Sequence, residues 1–184
     1  MNNDQRLIIN GGRPLSGELR VQGAKNSVLP ILAATVLCRG ESIIHNCPHL
    51  TDVDAACRIL GHLGCRCARS GDTLSVEASQ ISTGDIPESL MRLMRSSIIF
   101  LGAVLGRLGH CRLTFPGGCE LGARPIDLHL AALRKMGARI TEEHGCLDCC
   151  APDGLRGARI DLSFPSVGAT ENIMLAAAAA KGTT

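Results

Sequence analysis

Two stretches decide the architecture: Asp52-Val53-Asp54-Ala55-Ala56-Cys57-Arg58-Ile59-Leu60-Gly61-His62-Leu63-Gly64 and Ile126-Asp127-Leu128-His129-Leu130-Ala131-Ala132-Leu133-Arg134-Lys135-Met136-Gly137. Each is an apolar-rich run of helical length that stops on a glycine, and the two closing glycines stand 73 positions apart. Glycine just past a helix end is the expected stop, because it takes the left-handed conformation without a Cβ penalty. A second series keeps nearly the same interval. Helical runs at 26–37, 91–108 and 170–180 end near Gly40, Gly109 and Gly182, at spacings of 69 and 73. The chain repeats.

Working outward, short β-like runs fall between these helices. Residues 42–45 and 112–115 each follow a first helix. A hairpin follows each second helix: 66–68 with 73–76 across Ser70-Gly71-Asp72, then 139–141 with 146–149 across a turn at His144-Gly145. Leading strands are predicted at 19–21 and 159–162. Each unit then reads strand, helix, strand, helix, strand, strand over roughly 70 residues. Such a unit cannot cover its own helices, so the copies are predicted to pack around a shared helical core in an α/β (α+β) fold. The third copy reaches Thr184 directly after its first helix, which predicts an open apolar helix face and unpaired strand edges. A two-unit domain with a helical tail is the alternative.

Composition narrows the partners. Net charge is +2, which gives no electrostatic case for nucleic acid or an anionic membrane. The chain has no Trp, no Tyr and three Phe, so the stacking platforms of single-stranded nucleic-acid binders are missing. The first twelve residues, with Asp4 and Arg6, hold no signal-peptide core, and the apolar runs at 98–108 and 173–180 are too short to span a bilayer. A cytoplasmic protein is predicted, in which the ten cysteines are free thiols rather than a disulfide framework.

Three segments carry chemistry. Gly23-Ala24-Lys25-Asn26-Ser27 lies between a strand and a helix, where backbone N–H groups and a lysine attract anions, although it lacks the spacing of a phosphate-binding P-loop. Phe115-Pro116-Gly117-Gly118-Cys119-Glu120-Leu121-Gly122-Ala123-Arg124-Pro125 is dense in glycine and proline and reads as an irregular loop. Arg124 and the helix that starts at Ile126 could stabilise a Cys119 thiolate, and an incidental exposed thiol is the competing reading. Ser166-Val167-Gly168-Ala169-Thr170-Glu171-Asn172 begins the third copy's helix. By the repeat, Lys25, Arg95 and Ser166 should gather at one end of the bundle with Cys119 and Arg124 nearby. Three converging cations imply a ligand with phosphate or carboxylate groups.

Other residues read as structural. Cys146, Cys149 and Cys150 have no second pair at a zinc-site distance and alternate across a hairpin, so strand thiols are the favoured reading. Cys38, Cys47, Cys57, Cys65, Cys67 and Cys111 fall in or beside helices and strands. His129 reads as a structural hydrogen-bonder rather than a base, and Asp127 suits a helix N-terminus.

Across these motifs, together with Gly11-Gly12, Met94-Arg95-Ser96-Ser97 and Gly122-Ala123-Arg124-Pro125-Ile126-Asp127-Leu128-His129, the chain resembles the UDP-N-acetylglucosamine enolpyruvyl transferases. Enolpyruvyl-shikimate-phosphate synthases share that fold but lack this cysteine loop and carry a different lysine motif. The resemblance implies an inside-out α/β barrel of repeated βαβαββ units, with helices in the centre and a truncated third unit. Residues 1–21 would belong to the family's other domain. Residues 22–184 would form an incomplete transferase domain of units at about 22–85, 86–152 and 155–184.

The implied reaction moves the enolpyruvyl group of phosphoenolpyruvate to the 3-hydroxyl of UDP-N-acetylglucosamine, opening the committed path to peptidoglycan. It needs no cofactor and no metal, and its partners are these two small molecules rather than nucleic acid or membrane. Cys119 would be the general acid, able to form an adduct with phosphoenolpyruvate and to be alkylated by fosfomycin. Lys25 and Arg124 would hold phosphoenolpyruvate, with Asn26 beside the reacting centre. Arg95, Arg124, Pro125, Ile126, Asp127, Leu128, Phe164, Pro165, Ser166, Val167 and Gly168 would line the nucleotide-sugar side. The family's second domain supplies further residues, so little or no turnover is expected of these 184 residues alone. A non-catalytic nucleotide-sugar binding module of the same fold is the alternative; the oligomeric state stays open.

Overall fold

The structure is a computed structural model that describes residues 7–115 and 126–184. The first unit contains α1 (Lys25–Thr35), β1 (Glu41–Ile44), α2 (Thr51–Leu63) and the hairpin β2 (Arg66–Ser70) and β3 (Thr73–Glu77). The second contains β4 (Asp85–Ile86), a short α3 (Glu88–Met91), a 3-10 turn at Ser97–Ile99, α4 (Phe100–Leu108), β5 (His110–Thr114), α5 (Asp127–Lys135) and the hairpin β6 (Arg139–Glu143) and β7 (Cys146–Cys150). Helix α6 (Val167–Ala178) follows.

The repeat is visible in the sheets. One has the order β1-β3-β2 and the other β4-β5-β7-β6, so in both the strand after the first helix pairs antiparallel with the last strand of the hairpin. The second sheet adds β4, parallel to β5. Glycine stops behave as the sequence predicts at Gly64, Gly109 and Gly137, all at positive φ, whereas α6 ends at Ala178, four residues before Gly182. Gly40 is different: α1 ends at Thr35, and Gly40 takes no left-handed conformation.

Two further expectations need correcting. The helix predicted over 91–108 is broken. The Ser97 hydroxyl turns back to donate to the Met91 carbonyl at 2.8 Å, offering the backbone an alternative to a continuous helix, and Arg95 stands in the gap. The leading strands predicted at 19–21 and 159–162 do not form and lie in no ladder. In the second unit the leading strand is held by β5, which follows α4. Just after α6, Lys181 makes the corresponding parallel bridge to Arg156, ahead of 159–162. Leu19 and Val21 are 90% and 81% exposed and have no face to bury.

Helices α1, α4 and α6 contact one another, with α2 against α1 and α5 against α6. Their apolar faces meet in one core that includes Leu32, Leu60, Phe100, Leu101, Leu105 and Leu133, all fully buried. Val167 and Met174 of α6 stay exposed. Among the described residues, no helix is long and apolar enough to cross a membrane.

The closest helix approach is α4 on α6. A Cβ placed on Gly102 would collide with the backbone and side-chain oxygens of Asn172, and one on Gly106 would come within 2.9 Å of the Ala179 methyl. Gly102→Ala should therefore force the two helices apart. The expected loss is about 1–3 kcal/mol, read as a lower denaturant midpoint, whereas the open Gly61 of α2 should tolerate alanine without that loss.

Candidate functional site

The starts of four helices open on a single cavity of about 480 Å³. Helix α1 brings Lys25, its first residue, and Asn26; α2 brings Asp52 from its first turn. The residue capping the start of α5, Ile126, and the residue capping the start of α6, Ser166, lie on its wall with Gly168. Arg95 and Ser96 reach it from the break before α4. Free N–H groups at a helix start carry partial positive charge, so four such starts together with Lys25 and Arg95 make a concentrated anion-attracting wall.

Local contacts order the lining. The Lys25 ammonium pairs with the Asp52 carboxylate, and that lysine side chain is half exposed. Such a partly solvated pair adds little stability, and it holds together two residues that both line the cavity. The Ser166 hydroxyl accepts from the Ala169 N–H at 3.3 Å and so begins α6. Behind the wall, Asn172 is fully buried with its amide satisfied on three sides. Its Oδ1 accepts from the Gly102 N–H at 2.6 Å, and its Nδ2 donates to the Ile98 carbonyl at 3.1 Å and lies 3.0 Å from His129 Nδ1. His129 lines the cavity and is held by a hydrogen bond, as the sequence suggested. Burial pushes its pKa down, and the nearby Asp127 carboxylate only partly opposes that.

Of the residues singled out from the sequence, Lys25, Asn26, Arg95, Ile126, Ser166 and Gly168 come together on this cavity. Asp127 and Leu128 open α5 next to Ile126, while Phe164 and Val167 are exposed beside the start of α6, with Pro165 between them and Ser166. Cys119, Arg124 and Pro125 lie outside the described residues. Sequence reasoning missed Asp52, Ser96 and the place of His129 on the wall. The signal for Asp52 was available, because the repeat puts the second helices' starts at the same end as the first helices' starts.

Of the remaining described thiols, Cys47, Cys65, Cys111 and Cys149 are buried packing groups, and Cys38 is exposed. Cys111 and Cys149 face each other in the β5–β7 register, fully buried. Burial pushes the Cys149 thiol up to about 12, Cys65 up to about 11, and Cys111 well above its ordinary range. Cys146 and Cys150 flank Cys149 half-buried.

The fold is that of the enolpyruvyl transferases, as comparison with known proteins shows. Residues 9–184 match the family described as EPSP synthase (3-phosphoshikimate 1-carboxyvinyltransferase), and the chain belongs to that family. Within it, the chain is 53% identical over 179 residues to UDP-N-acetylglucosamine 1-carboxyvinyltransferase 2 of Caldanaerobacter subterraneus subsp. tengcongensis, covering 97% of this chain and 43% of the relative. It is 47% identical over 186 residues to UDP-N-acetylglucosamine 1-carboxyvinyltransferase 1 of Symbiobacterium thermophilum, covering 98% and 42%. The chain thus spans less than half the length of these curated relatives. Among solved structures, the enolpyruvyl transferase NikO from Streptomyces tendae superposes with a TM-score of 0.79 at 24% identity, over 94% of this chain and 40% of that one. EPSP synthase from Acinetobacter baumannii gives 0.68 at 20% identity, over 90% and 39%. These two likenesses establish the fold.

The buried, neutral His129 sets a pH dependence. Its folded pKa lies below its unfolded value, so the unfolded chain takes up this proton first as pH falls. Its contribution is complete above about pH 6.5 and is lost on acidification below that. Urea midpoints measured from pH 7.5 to 5 should fall, and the fall should be shallower in His129→Gln.

Proposed function

We propose that the protein to which these residues belong transfers the enolpyruvyl group of phosphoenolpyruvate to the 3-hydroxyl of UDP-N-acetylglucosamine, releasing phosphate. The observation that carries this reading is the convergence of Lys25, Arg95 and four helix starts on one cavity, in a chain whose relatives at about half identity are UDP-N-acetylglucosamine 1-carboxyvinyltransferases. Both substrates are anions, and this wall suits phosphate and carboxylate oxygens.

In the proposed reaction the sugar 3-hydroxyl gives up its proton to a base from the rest of the longer protein, its oxygen adds to C2 of phosphoenolpyruvate, and the methylene carbon takes a proton. A proton then leaves that methyl group as the C2–O bond to phosphate breaks, and the vinyl ether forms. Proton transfer and charge stabilisation are all this needs, so the reading calls for no cofactor. Lys25, with Arg124, holds the phosphate and carboxylate of phosphoenolpyruvate through the tetrahedral intermediate, and Asn26 borders the reacting centre. Cys119 supplies the proton as general acid. Arg95, Pro125, Ile126, Asp127, Leu128 and the segment Phe164-Pro165-Ser166-Val167-Gly168 form the nucleotide-sugar side.

We read the fold in finer terms as an inside-out barrel, with units near 22–85, 86–152 and 155–184 and with 1–21 packing on the other domain of the longer protein. The setting we infer is cytoplasmic peptidoglycan synthesis. Little or no turnover is expected of the 184 residues alone, whose length is under half that of the relatives.

Two measurements test the reading. Fosfomycin should add to Cys119, seen as a single mass shift on the peptide that contains it, and an unmodified Cys119 would count against the general-acid assignment. Lys25→Ala and Arg95→Ala should each weaken binding of UDP-N-acetylglucosamine or phosphoenolpyruvate about ten-fold or more, as expected for charge-assisted hydrogen bonds. Unchanged affinity in both variants would refute the cavity as the site.

A further inference from the structure

We propose that Asn172 is a positioning residue: it fixes His129 as the neutral tautomer protonated on Nε2 and thereby turns that N–H into a donor for the anionic ligand of the cavity. The inference rests on the reading of the cavity as an anion-holding site and adds a residue pair to it.

The argument starts from the amide. The Gly102 backbone N–H can only donate, so the Asn172 atom 2.6 Å from it is the oxygen, which fixes which way the amide faces. The NH₂ group then carries two hydrogens and has two neighbours, the Ile98 carbonyl at 3.1 Å and His129 Nδ1 at 3.0 Å. A carbonyl accepts, and the remaining hydrogen points at the imidazole. His129 Nδ1 must therefore be the lone-pair nitrogen, and in a neutral ring the proton sits on Nε2. An imidazolium would set N–H against N–H in a buried place, and burial independently disfavours that charge.

The other edge of the ring faces the ligand side. A Cβ built on Gly168 would meet His129 Cε1 at 3.6 Å and Nε2 at 3.8 Å, so this edge borders the first turn of α6, and both residues line the cavity. Among the described residues, His129 Nε2 has no protein hydrogen-bond partner. Lys25 and Arg95 on the same wall are donors as well, and the Asp52 carboxylate is taken by Lys25. An anionic ligand in the cavity can bring the acceptor for Nε2–H. A phosphate or carboxylate oxygen fits, and a neutral donor adds direction to it without adding charge.

The test uses the longer protein to which these residues belong, labelled with ¹⁵N, and this is the unaltered chain referred to below. Long-range proton–nitrogen spectra of the imidazoles, with His129 assigned by its absence in His129→Gln, report which ring nitrogen carries the proton. The expected result is Nε2–H, with that resonance moving on titration with UDP-N-acetylglucosamine and affinity about ten-fold or more weaker in His129→Gln. Asn172→Asp keeps the acceptor for the Gly102 N–H but presents a carboxylate to Nδ1. It should shift the proton to Nδ1, turn Nε2 into an acceptor facing the anion, and weaken binding similarly with His129 still in place. A merely structural role for Asn172 would not move the tautomer. If Asn172→Asp fails to fold, the tautomer and titration of the unaltered chain still decide. Nδ1–H in the unaltered chain, or an unmoved Nε2 resonance with binding intact, overturns this inference alone. Absence of binding by the unaltered chain overturns the anion-site reading and this inference with it.

Discussion

A single buried amide ties the helical core together. Asn172 hangs from α6, takes the Gly102 N–H of α4, gives to the Ile98 carbonyl of the 3-10 turn, and meets His129 of α5. Removing it would strand several buried polar groups, each costing about 1–3 kcal/mol when left unsatisfied. An apolar side chain of similar size could fill the volume but could not specify the rotation of three helices at once. The bare Cα of Gly102 is the other half of the device, because any side chain there would occupy the space of the asparagine oxygen. Packing and polar satisfaction thus demand the same helix spacing, and that spacing sets the cavity.

The charge pattern follows from the repeat. When copies of a unit pack around shared helices, equivalent helix ends gather on the same side, so their partial charges add rather than cancel. An end of the bundle that collects N-termini is anion-attracting before any cationic side chain is placed. Lys25 and Arg95 then raise that potential, and Asp52 restrains the lysine while contributing the one carboxylate among the described cavity-lining residues. A bound anion would compete with Asp52 for the ammonium and be repelled by it, which sharpens where on the wall an anion can sit.

Most of the fold was legible because glycine punctuates it. Gly64, Gly109 and Gly137 all occupy left-handed backbone at helix ends, and both hairpins turn where Gly71 and Gly145 stand. What failed was what depends on contacts far along the chain. Apolar pattern alone cannot show that the Ser97 hydroxyl will capture the Met91 carbonyl and interrupt a helix. It cannot show that a strand-like run such as 159–162 joins no ladder. The site divides in the same way. Lys25, Arg95 and Ser166 could be aligned from the repeat, whereas the role of Asn172 could not, because an asparagine one turn into a helix reads as an ordinary polar position until Gly102 and His129 are seen to face it.

The repeat also explains how a pseudo-symmetric scaffold can host an asymmetric ligand. Equivalent positions at the starts of the first helices carry Lys25, Arg95 and Ser166, which differ in charge, reach and geometry. A lysine offers a compact, solvated charge, an arginine a planar fork, and a serine a neutral hydroxyl that occupies one N–H of its own helix start. The backbone supplies nearly the same positive potential from each copy, so the general attraction for anions belongs to the fold. Discrimination among oxygens belongs to the side chains, in which the copies have diverged. A neutral N–H held by Asn172 extends that division, since it adds direction where more positive charge would have added only strength.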